Sequence, residues 1–175
     1  MKTRTFFLTI LAILVAGICK LEAQKASVIE KRIGNTVYEL DTVGYRVKNK
    51  ANVITFQEYG DCRVSFDDGV LAGKTWLEHF KPLFSKERAE ELKVRIRISC
   101  VFDSTGFIKE VEMFFLNREN FEKFTLKEIK DIEDAAKKYQ YKNLFWYECE
   151  GLKYARFYHP FSPYLLYFEK LNRAM

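Results

Sequence analysis

A chain of 175 residues with a net charge of +5 has the length of one domain and a balance too mild to mark a polyanion-binding protein. Hydrophobic residues make up 48% of it, enough to bury a sizeable core, which excludes a disordered or low-complexity chain. No C-x-x-C pair, no H-x-x-x-H pair and no glycine-rich phosphate loop occurs, so the common zinc and nucleotide signatures are absent.

The N-terminus carries the sharpest signal. Lys2 and Arg4 precede an apolar run from Phe6 to Ile18, and Leu21-Glu22-Ala23 puts a small residue before Gln24. Positive start, short apolar core and small residue at the cut describe a cleavable secretory signal over residues 1–23. The other reading, a retained membrane anchor, meets a run shorter than the ~20 residues a bilayer span needs. A lipoprotein reading is weaker, because Ile18 stands where a small residue belongs before Cys19. The expectation is an exported protein, periplasmic or outer-membrane-associated in a Gram-negative bacterium, with no transmembrane span after cleavage. The removed segment carries Lys2, Arg4 and Lys20 against Glu22, so the mature charge falls by two to +3.

Residues 24–175 read as a single α+β domain. Short β-rich runs come first, at Val28–Ile33, Thr36–Leu40, Tyr45–Val47, Val53–Glu58 and Cys62–Phe66, separated by Gly and Asn turns. Trp76, Leu77, Phe80, Leu83 and Phe84 then recur at helical spacing across Lys74–Leu92. Pro82 interrupts that helix, and Ser85 supplies a cap for its second part.

Val94–Leu116 is the clearest hairpin. Val94, Ile96, Ile98, Cys100 and Phe102 alternate with Arg95, Arg97 and Ser99, and Asp103-Ser104-Thr105-Gly106 forms the turn. Pairing Phe102 with Phe107 sets Ile98 against Val111, Ile96 against Met113 and Arg97 against Glu112. Asn117–Phe124 reads as a polar connection. Thr125-Leu126-Lys127-Glu128 is a capping box that opens a helix with Leu126, Ile129, Ile132, Ala136 and Tyr139 on one stripe, ending near Tyr141. Leu144–Tyr147 and Lys153–Phe161 are strand-like. After them Ser162-Pro163 opens a short helix through Leu171, although Tyr164–Phe168 also suits a strand.

The sum is an antiparallel sheet with helices gathered on one face. For Cys62, Cys100 and Cys149 two readings stand: three small buried apolar residues, which ranks slightly ahead, or one disulfide with one free thiol.

Chemistry is hard to find. His79 and His159 are the only imidazoles and neither sits in a nucleophile signature, so structural or surface roles are expected. Asp67-Asp68 precede Gly69 in a turn, and Glu90-Glu91 belong to a charged helix face. No catalytic, metal or cofactor residue is assigned, and no cofactor is implied. Tyr154, Phe157, Tyr158, Phe161, Tyr164, Tyr167 and Phe168 make the C-terminal stretch the densest in aromatics, a pattern of cores first and of partner surfaces second.

The order of elements from about Leu92 to Phe161 resembles the C-terminal domain of TonB-type energy transducers. The segments that carry it are VRIRISCVFDSTGFIKEVEMFF, TLKEIKDIEDAAKKYQYK and EGLKYARFYHPF, with Gly106 at the hairpin and Gly151 before the last strand. The resemblance implies contact with outer-membrane transporters by strand addition. The chain departs from the family in lacking a proline-rich spacer and in placing Tyr141-Lys142-Asn143 where the family has aromatic-x-Pro. A secreted, non-catalytic protein-interaction module is therefore expected, taking an envelope protein or a second copy of itself, and no nucleic acid. Its candidate anchors are Tyr154 and Tyr158, with Arg156 at the rim, on the returning strand. A small-ligand-binding module, or an envelope hydrolase with an unrecognised site, is the competing expectation.

Overall fold

Period-two alternation in Ile96–Phe115 and a capped amphipathic helix after it organise the rest of the chain around one sheet. A computed structural model gives this architecture and describes residues 28–67, 69–147 and 149–168. The expected leader lies outside the described residues, as do the last residues of the expected terminal helix.

Among the described residues eight strands run β1 Val28–Ile33, β2 Thr36–Asp41, β3 Arg46–Asn49, β4 Arg63–Phe66, β5 Ile96–Asp103, β6 Ile108–Phe115, β7 Leu144–Tyr147 and β8 Tyr154–Phe161. Six form an antiparallel sheet in the order β1-β2-β3-β6-β5-β8, while β4 and β7 pair separately. The helices are α1 Phe56–Tyr59, α2 Gly69–Phe80, α3 Lys86–Glu91, α4 Arg118–Lys123, α5 Leu126–Lys138 and α6 Leu165–Phe168, with a 3-10 turn at Lys81–Leu83 around Pro82. The chain is thus α+β, with an antiparallel six-stranded sheet and helices packed against it.

The core lies between the sheet and helices α2 and α5. Ile96, Ile98, Cys100 and Phe102 of β5 and Met113 and Phe115 of β6 point into it, and Ile129, Ile132 and Ala136 of α5 close it from above. Thr125 caps α5 by accepting from Glu128 N–H while the Glu128 carboxylate accepts from Thr125 N–H. Trp76 of α2 stacks on His159 of β8 with ring centroids 4.2 Å apart, and Phe80 meets Phe161 at a tilt with centroids 5.2 Å apart. One buried charge crosses the layers: the Glu133 carboxylate accepts from the Tyr38 hydroxyl, from Asn49 Nδ2 at 3.0 Å and from Lys137 Nζ at 2.6 Å. Burial first, and the Glu133 carboxylate second, hold the Tyr38 phenol far above its ordinary range.

Four expectations need correction. The hairpin exists, but its register differs by two residues. Ile98 pairs with Met113, Ile96 with Phe115 and Arg97 with Phe114, so Arg97 does not oppose Glu112. The cause is local. Asp103 N–H donates to Phe107 O at 3.1 Å, which closes a three-residue loop, and Lys109 is the extra residue of a bulge between the Val101–Glu110 and Phe102–Ile108 pairs. A slip of two leaves every side chain on its own face, so the core-facing set is buried as expected while the charge pairing differs, and Ser99 and Glu110, expected on the wet face, are buried as well.

Val53–Glu58 is not a strand. Glu110 Oε1 accepts from Val53 and Ile54 N–H and holds the segment as a loop, and Thr55 then opens α1 with its own capping box. Asn117–Phe124 is more than a connection, because Asn117 accepts from Asn120 N–H and caps α4. The cysteines divide as the second reading had it: Cys62 and Cys149 form a disulfide and Cys100 is a buried free thiol. The terminal segment is helical at Leu165–Phe168 and not a strand.

Candidate functional site

β8 is a terminal strand of the sheet, and the direction of its backbone can be worked out from the hairpin. Asp103 N–H points to β6, so in an antiparallel ladder Ser99 and Val101 also direct their backbone there. Ile96, Ile98, Cys100 and Phe102 must then face β8, where they pair with Phe161, His159, Phe157 and Ala155. The alternate residues Tyr154, Arg156, Tyr158 and Pro160 turn their backbone groups to the outer edge. Pro160 has no N–H to lose and sits where the ladder needs none. Among the described residues that edge pairs with no other strand.

The three residues singled out in the sequence therefore share one geometry: outward backbone, with side chains on the sheet face opposite the core. Tyr158 is 44% exposed. Arg156 is half-buried, its guanidinium 4.3 Å from the Tyr59 ring and its Nη2 3.5 Å from Glu112. Tyr154 is half-buried and pairs across with Asp103. The first half of the strand is flanked, since α1 brings Tyr59 against Arg156 and β4 brings Phe66 within 5.2 Å of Phe157. The half from Tyr158 onward is the open one.

On this outer face the register builds rows across four strands. Arg46, Phe114, Arg97 and Pro160 form one row, and Lys48, Glu112, Ser99 and Tyr158 the next. The carboxylates are engaged: Glu39 with Lys48 at 2.9 Å, Glu112 with Arg156 and Arg46, and Glu110 with the backbone of Val53 and Ile54. Arg95 and Arg97 are exposed and have no carboxylate within 4.0 Å among the described residues. The Arg97 guanidinium lies 5.8 Å from the Tyr158 ring, leaning toward the free edge.

Two hollows open on the face. A groove of about 370 Å³ is lined by Arg97, Phe114, Phe115, Leu116 and Tyr158. A polar cavity of about 90 Å³ lies beneath Asn52 and Ile54, with Lys48, Ser99, Glu112 and Arg156 in its wall. Ser99 Oγ and Arg156 Nε are buried there without a hydrogen-bond partner among the described residues. Sequence reading placed Arg97 and Ser99 on the wet face but missed both hollows. They depend on the two-residue register shift and on Glu110 folding the Val53–Glu58 segment over the sheet.

The histidines sit elsewhere. His159 is buried, its Nε2 2.5 Å from the Tyr141 hydroxyl, and burial lowers its pKa to about 3. Burial also pushes the Cys100 thiol up to about 12, so the neutral, unreactive form prevails. His79 Nε2 lies 2.8 Å from the Ala135 carbonyl oxygen on α5. Among the described residues no group of three or more His, Cys, Asp or Glu is arranged to hold a metal ion, and no helix is long and apolar enough to cross a membrane.

No family model matches the chain, and no curated protein matches it. Among solved structures the chain is similar to the crystal structure of a DUF5043 family protein from Bacteroides uniformis, with a TM-score of 0.60 and 18% identity, over 79% of this chain and 92% of that one. At that identity the likeness shows the fold alone.

Proposed function

We propose that this chain is an exported, non-catalytic protein-interaction module of the Gram-negative envelope, periplasmic or outer-membrane-associated, that receives its partner at the outer edge of β8. The observation that carries the reading is the edge left unpaired among the described residues: outward backbone at Tyr154, Arg156 and Tyr158, with Tyr158 exposed beside it. An added strand would gain affinity from backbone hydrogen bonds and specificity from alternate side chains. Three features support the setting. The N-terminal 23 residues read as a signal peptide, the Cys62–Cys149 disulfide suits an oxidising compartment, and Leu92–Phe161 resembles TonB-type C-terminal domains, whose members contact outer-membrane transporters by strand addition. A second copy of the chain is an alternative occupant of the same edge. No cofactor or nucleic acid enters this reading.

Crosslinking capture from intact envelopes tests it, comparing wild type with a Tyr158→Asp variant whose circular dichroism matches. A discrete partner is expected with wild type and lost with the variant, and identical profiles in both would remove the edge from the account. A second reading, a small-ligand-binding module, is favoured by the two unpartnered polar atoms of the 90 Å³ cavity. Recovery of only a small metabolite with the purified chain would select it.

A further inference from the structure

The outer face beside β8 has an unbalanced charge. Its carboxylates Glu39, Asp41, Asp103, Glu110 and Glu112 are each taken up by a cation or by backbone N–H groups. Among the described residues Arg95 and Arg97 have no carboxylate within 4.0 Å, and Arg46 reaches Glu112 only at 3.9 Å. Arg97 of β5 lies on the outer face beside the open half of β8, and Arg95, just before the strand, is exposed. Arg97 also borders an apolar groove with Phe114 and Leu116, where displaced water strengthens an ion pair.

We infer that the partner segment at β8 alternates acidic and apolar side chains, with its acidic residues on the outer face toward Arg97 and Arg95 and its apolar residues on the core side. The inference deepens the edge-binding reading above and rests on it. A strand added to β8 lies two strand spacings of about 4.8 Å from β5. Arginine and glutamate side chains span that gap together, and Arg97 already leans over Tyr158 toward the edge. On the core side the strand's other side chains would extend the apolar layer that holds Phe157 and Phe161. A segment with lysines on its outer face would instead meet Arg97, Arg95 and Arg156, and like charges oppose it.

The test uses the purified chain, labelled with ¹⁵N, and two probe peptides, acetyl-(Glu-Val)4-amide and acetyl-(Lys-Val)4-amide. The glutamate peptide is expected to shift the amide signals of Tyr158 and its neighbours on the open half of β8 and to bind about tenfold more tightly than the lysine peptide at low salt. Arg97→Gln, at an exposed position that leaves the fold intact, is expected to weaken the glutamate peptide about fivefold, the size of one partly exposed ion pair. Arg97→Glu is expected to reverse the preference. Equal binding of both peptides at the β8 amides would overturn the charge selection and leave the edge reading standing. Failure of both peptides to perturb those amides would overturn the two together. Binding unaffected by Arg97→Gln and Arg97→Glu would place the selection elsewhere and refute the inference.

Discussion

His159 shows what a buried imidazole costs in acid. Desolvation lowers its pKa from 6.5 to about 3, so the unfolded chain binds the proton that the folded chain refuses. Its contribution to stability is complete above pH 6.5 and is lost as pH falls toward 3, at up to about 1.4 kcal/mol per pH unit. Urea titrations at pH 7 and pH 5 should therefore differ by about 2 kcal/mol more in wild type than in His159→Asn. Equal differences in both would mean the ring is protonated in the folded state. Glu133 is the second residue to probe. Glu133→Ala leaves the Tyr38 hydroxyl and Asn49 amide without their acceptor in a buried setting, and a loss of about 3 kcal/mol is expected by chemical denaturation. Tyr38→Phe removes a single donor and should cost about 1 kcal/mol.

At the scale of elements, two devices hold the ends of the sheet in place. Gly106 turns the β5–β6 hairpin at φ +83°, and a Cβ there would lie 2.2 Å from the Tyr141 carbonyl oxygen. Tyr141 N–H in turn donates to Gly106 O, so the hairpin tip and the chain leaving α5 are built against each other. Gly106→Ala is expected to lower stability by about 2 kcal/mol or more, measured by thermal denaturation. The Cys62–Cys149 bond ties the segment that flanks β8 to the β4–β7 pair across 87 residues. By loop-closure entropy its removal in a Cys62→Ala, Cys149→Ala variant should cost about 4.5 kcal/mol. An unchanged Tm would show that β4 and β7 are held by packing alone.

The same elements show how far sequence carries. Alternation in Ile96–Phe102 and the Thr125 capping box are local signals, and both elements form where they predict. Register is not local. It depends on whether Asp103 or Phe102 closes the loop and on a bulge at Lys109 that no periodicity reveals. The Val53–Glu58 run has strand-like composition, yet it is folded as a loop by the distant Glu110 carboxylate. The candidate edge was legible because Tyr154, Arg156 and Tyr158 share a parity on the last strand to join the sheet. The unpaired arginines and the polar cavity were not, because they arise from side chains of four strands placed side by side.

At the scale of the whole molecule, one face of the sheet is closed by helices and the other is partly covered by Asn52–Tyr59. The second half of β8 remains as an open edge with a basic flank. We propose that the partner sits at that edge. The most direct measurement replaces Tyr158 with the photo-crosslinking residue p-benzoylphenylalanine in living cells, and separately replaces Val43, an exposed turn residue on the opposite half of the sheet. The account predicts a discrete crosslinked species from position 158 that disappears on adding Arg97→Glu, and none from position 43. The same species from both positions, or none from position 158 while the unsubstituted protein still captures a partner, would contradict it.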